Sequence, residues 1–144
     1  MITSQDAFDV RTLAAERLIA RWSGRALVWG EHDCAQLAAD AVREITGRDA
    51  LEGVPVYHDP DSAREAIRAA GFRSLAGLVS RRSGGGPLRA PLMAAPGDVV
   101  MYRSDVPRLP ALGVAVGDGR VIVLVQGQFL LGSILPALRA WRVV

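Results

Sequence analysis

An α+β domain is the fold class this sequence predicts, with N-terminal helices packed on a C-terminal antiparallel β-sheet. Three observations carry that expectation. Two stretches, 5–22 and 33–46, place apolar residues at helical spacing. From Ala95 onward the pattern changes to short apolar runs separated by turn residues. Asp118-Gly119, between two of those runs, is a two-residue hairpin signal. The chain has 144 residues, 50% of them hydrophobic and 6% aromatic, which suits a single domain over 1–144 with a core of Ala, Leu and Val.

The elements follow in order. Ser4 is expected to cap a helix over 5–22, with Phe8, Leu13, Ile19 and Trp22 broadly on one face and Arg17 and Arg21 late in it. Ser23-Gly24-Arg25 ends it, and 27–30 is a short extended link. A second helix over 33–46 buries Cys34, Leu37, Ala38, Ala41 and Ile45. Asp33 is its N-cap, Gln36 completes a pair resembling a capping box, and Gly47 stops it. After a loop over 48–59, a third helix spans 60–70 and a short fourth one 75–80. Residues 81–87, with Gly84-Gly85-Gly86, read as a flexible loop with none of the features of a phosphate-binding loop. Strands are expected at 99–102, 112–117, 121–125, 129–131 and 140–143.

Composition narrows the function classes. The formal charge is +2, and no basic block is interleaved with aromatic residues, so nucleic acid is not an expected partner. One cysteine excludes an internal disulfide, and the chain has too few His and Cys for a zinc site, so no metal or cofactor is expected. Those facts suit a protein folded in a reducing cytoplasm, and no secretion signal is visible at the start. Residues 121–138 carry no charge but are broken by Gln126-Gly127-Gln128, Gly132-Ser133 and Pro136. They read as short buried strands and not as a membrane span.

The chemistry-bearing motif is Trp29-Gly30-Glu31-His32-Asp33-Cys34. It places a thiol at the first turn of a helix, where the helix dipole lowers a thiol pKa. Cys34 is therefore the candidate nucleophile, and its stripe equally suits a small buried residue. His32, two residues earlier, and His58, in the loop before the third helix, are the candidate bases. Asp33 reads first as a helix cap, and Asp98 as a turn residue bonding local amides. Trp22, Trp29 and Trp141 are core or interface anchors, with Trp141 the one expected at a subunit contact.

Asp33-Cys34 opening a helix, then Pro96-Gly97-Asp98-Val99-Val100, Leu112-Gly113-Val114 and Asp118-Gly119 in that order, resemble NlpC-type, papain-like cysteine peptidases. The resemblance implies that fold, with Cys34 at the nucleophile position. It also implies a base histidine where Leu112 stands and an orienting residue near Val123, and both positions are aliphatic here. The Trp-Gly-x-His-Asp-Cys motif, Thr46-Gly47 and the terminal Ala140-Trp141-Arg142-Val143 are similar to phage proteins of tail-assembly clusters. That likeness implies a structural or assembly component of the tail tip on a degenerate peptidase fold. Its partners would be other tail tip and hub proteins, and it would be made in the host cytoplasm and carried in the virion. Two alternatives stand beside it. One is an active cysteine hydrolase acting on peptidoglycan during phage entry, and the other is a small binding protein that never enters a particle.

Overall fold

A computed structural model describes residues 3–144, folded as helices α1 Ser4–Trp22, α2 Cys34–Thr46, α3 Pro60–Ala69 and α4 Leu75–Arg82, then a sheet. The strands are β1 Gly84–Pro87, β2 Val99–Tyr102, β3 Ala111–Gly117, β4 Arg120–Val125, β5 Gln128–Ser133 and β6 Arg139–Val143. Neighbouring strands run antiparallel in the order β1-β6-β2-β3-β4-β5. The α+β class is as the sequence predicts.

Thr3, and not Ser4, caps α1: its hydroxyl accepts from the Asp6 amide while Asp6 accepts from the Thr3 amide. The face that α1 buries is Ala14, Ala15, Leu18 and Trp22, whereas Phe8 and Leu13 are exposed. Small residues let α1 approach closely; the larger apolar groups of its first turns have no element to cover them. Arg21 ties α1 to α2 through Asp40 at 3.0 Å and Glu44 at 2.5 Å.

Strand alternation splits the core across the sheet. Val99, Met101, Leu112 and Trp141 face α2, α3 and α4, and Val114, Ile122 and Phe129 face α1 and α2. Val100, Tyr102, Ala115, Val121 and Ala140 point the other way, under Leu88, Ala94 and Ile134. Two tight turns join β3 to β4 and β4 to β5, with Asp118, Gly119, Gln126 and Gly127 all at positive φ, the geometry of hairpin turns matched to strand twist.

Two expectations change here. The glycine segment is not a loop: Gly84–Pro87 pairs with β6 as an edge strand. Asp98 does more than bond its own turn. It is fully buried, and its carboxylate accepts from Arg11, Arg142 and the amides of Ala95 and Val143. That set clamps α1, the β2 turn and β6 together.

Candidate functional site

Asp33 builds the start of α2. One carboxylate oxygen accepts from the Gln36 amide at 2.9 Å, and the other from the Gly30 amide at 2.7 Å. The Gln36 side chain reaches Gly30 oxygen and not the Asp33 backbone, so only half of a capping box forms. Gly30 has φ +84, and a Cβ there would lie 2.0 Å from the Tyr57 carbonyl oxygen. Only glycine lets the loop after α2 lie this close to the Trp-Gly turn.

That loop carries the residue the motif reading missed. In the stretch 54–58 Tyr57 is buried while its neighbours Val56 and His58 are exposed. Tyr57 is 7% exposed and its hydroxyl makes no hydrogen bond, although Asp33 and Gln36 lie near it. Burial first, and then the Asp33 charge, push its pKa above the ordinary tyrosine range.

Trp29, Cys34, Tyr57, Ile67, Leu75 and Leu109 wall an apolar cleft, of which about 30 Å³ is open to a water-sized sphere. That is space for a water or two and no more. Three backbone amides, those of Leu112, Cys34 and Ala35, favour the thiolate of Cys34, as a helix start should. Burial outweighs them, Asp33 adds its own negative charge, and the thiol is pushed up to about 11. The lowered pKa expected from the helix dipole is therefore reversed. At pH 7 a thiol of that pKa is ionised in about one molecule in 10⁴.

Neither histidine reaches this cleft. His32 packs edge-on against Trp22, with ring centroids 6.0 Å apart, and its Nε2 accepts from Arg25 at 2.5 Å. It lies in a separate cleft with Glu31, Gln36 and Asp40, which Cys34 does not line. The His58 side chain is 80% exposed and meets Asp59 at 3.4 Å. Leu112 does stand against Cys34, where the family resemblance places a base, and it is 1% exposed. Val123 packs with the cluster on the far face of the sheet, so the β4 residues on the helix side are Ile122 and Leu124. Among the described residues no His, Cys, Asp and Glu cluster could hold a metal ion, and no helix is long and apolar enough to cross a membrane.

The tryptophans also sort by structure. Trp141 is not at the surface: it is 0% exposed, donates to Ser80 at 2.8 Å and carries the Arg139 guanidinium over its ring. Trp22 is a core residue that donates to Asp40. Trp29 is half-buried as a wall of the Cys34 cleft.

Comparison with known proteins agrees with this architecture. The solved structure of NlpC2 from Trichomonas vaginalis matches with a TM-score of 0.54 and 17% sequence identity, over 93% of this chain and 47% of that one. The likeness shows an NlpC-type fold, and the chain spans about half the length of that protein. No curated protein sequence matches. A family model does match residues 9–143, and the chain therefore belongs to the family described as a domain of unknown function, DUF6950.

Proposed function

We propose that this protein is a structural or assembly component of a phage tail tip, built on an NlpC-like peptidase fold that lacks a working base. The observation that supports it best is the pairing of Cys34 with Leu112. A nucleophilic thiol needs a base within hydrogen-bond reach and a partner to orient that base. Here an aliphatic side chain occupies the base position, both histidines lie elsewhere, and burial holds the thiol protonated. The tail-tip assignment is supported by the Trp29-Gly30 to Cys34 motif and the Ala140 to Val143 segment. On this reading the protein is made in the host cytoplasm, travels in the virion, and meets other tail tip and hub proteins.

The test of the chemistry is the rate of Cys34 alkylation by iodoacetamide across pH. The expected thiol stays unreactive at neutral pH and gains reactivity only towards pH 11 or on unfolding. A fast-reacting thiolate below pH 7 would overturn the reading. The test of the assignment is mass spectrometry of purified virions, where absence of the protein would favour a non-virion binding role.

A cysteine hydrolase acting on peptidoglycan is the second reading. The three amides around the Cys34 sulfur are suited to an oxyanion, and the unpartnered Tyr57 hydroxyl lies near Asp33 and Gln36 at the start of the same helix. It requires that Cys34→Ala abolish wall degradation while leaving the fold intact.

A further inference from the structure

All 17 basic side chains of this protein are arginines. Four of them, Arg64, Arg68, Arg73 and Arg108, line one cavity of about 230 Å³ between α3, the start of α4 and the loop over 103–110. No acidic residue lines it. Arg64 is the structural member: it donates to the Pro107 carbonyl at 2.9 Å and pairs with Asp61. It thereby fixes the 103–110 loop against α3. Arg68, Arg73 and Arg108 are exposed, and among the described residues their guanidinium groups make no hydrogen bond or ion pair. Three unpaired cations converging on one cavity repel one another unless an anion joins them. Ser74, the N-cap of α4, adds the positive end of that helix to the same wall.

Arg108 adds an independent sign. Its φ is +62, a conformation that glycine or asparagine would occupy at less cost. Such a conformation persists where the surrounding structure imposes it, and here it holds the Arg108 guanidinium at the cavity. The buried side chains of Ile67, Leu75 and Leu109 floor the cavity and separate it from the Cys34 cleft, which they also line.

We propose that this cavity binds a peptide bearing several carboxylates, with its acidic side chains held by Arg68, Arg73 and Arg108. Guanidinium forks match carboxylates bidentately. Three separate cations around a cavity of about 230 Å³ favour a chain with several carboxylates over a single inorganic anion. The inference does not rest on the tail-tip reading, and it is independent of whether Cys34 reacts.

The experiment is fluorescence anisotropy of a dye-labelled peptide alternating glutamate and leucine, titrated with the full chain at low salt. Saturable binding that weakens with added salt is expected. Arg73→Gln should weaken it by about tenfold or more, with Arg73→Lys recovering part of the loss. Arg108→Gly is the decisive variant, because it removes a guanidinium while relieving the positive φ. It should lose affinity with a melting temperature equal to or above that of the parent. No saturable binding, or equal binding by both variants, overturns the proposal. Inorganic phosphate binding where the peptide does not would make this a phosphate site and overturn it equally.

Discussion

Replacing Asp98 by asparagine tests whether a buried charge holds the two halves of the fold together. In the native chain Oδ1 accepts from Arg11 Nη1 at 3.0 Å and from the Val143 amide at 2.9 Å. Oδ2 accepts from Arg142 Nε at 2.7 Å and from the Ala95 amide at 2.9 Å. Asparagine keeps the volume but turns one oxygen into an NH2 group. Whichever way the amide lies, two of the four donors then face another donor. Arg11 and Arg142 also lose their charge partner. Removing one member of a buried pair costs about 3–5 kcal/mol. The two arginine side chains are 16% and 37% exposed, so water recovers part of the loss and about 3 kcal/mol is expected. With a urea m-value of about 1–3 kcal/mol/M, the unfolding midpoint should fall by about 1–3 M at unchanged m. Arg142→Gln, at the more exposed partner, should cost about 1 kcal/mol. An Asp98→Asn midpoint within about 0.5 M of the parent would refute the reasoning, because it would mean the carboxylate contributes no more than a surface ion pair.

Other expectations follow from the same geometry. Cys34 has a folded pKa raised from near 9 to about 11, so its contribution is fully present below pH 9 and is lost as pH rises through 11. The stability gap between the parent and Cys34→Ala should therefore narrow over that window by at most about 3 kcal/mol, and a gap independent of pH in urea titrations would contradict the burial argument. Gly30→Ala combines a positive φ with a Cβ driven into the Tyr57 carbonyl, and should lower stability by about 2 kcal/mol or more, read by thermal melting. Trp141→Ala should cost about 3–5 kcal/mol as a core truncation and leave the sedimentation behaviour of the folded fraction unchanged. Phe8→Ser, on the exposed side of α1, should stay within about 0.5 kcal/mol of the parent.

Much of the fold was legible because local signals and tertiary packing agree. The α2 cap at Asp33, its apolar stripe and Gly47 all mark one helix, and Asp118-Gly119 sets a hairpin by backbone chemistry alone. The failures have physical causes of their own. Gly84–Pro87 has no side-chain pattern to read, and becomes a strand because β6 offers it an edge. Glycine is needed there, since a Cβ on Gly85 would sit 2.6 Å from Val144 and 2.7 Å from Arg142. The buried face of α1 was misjudged because Ala14 and Ala15 fit against the sheet where bulk at Phe8 and Leu13 finds no partner. At the site, the motif located the thiol correctly but could not give the sign of its pKa shift. That sign depends on burial and on how close Asp33 lies, and spacing along a helix contains neither. Tyr57 was overlooked for the same reason: its neighbour His58 carries the more reactive group, and only the direction of each side chain decides which one enters the cleft.

The place of β6 between β1 and β2 has a kinetic consequence. The β3 to β5 meander needs only two-residue turns and can close early, because its contacts are local. The remaining half of the sheet waits for residues 139–143, the last segment of the strand order to be synthesised. Until they arrive, β2 has an open edge, Gly84–Pro87 has no strand to join, and the wall that Trp141 provides under α4 is missing. Folding of this half is therefore gated by the pairing most distant in sequence, and until β6 docks the apolar edge of β2 is open to association.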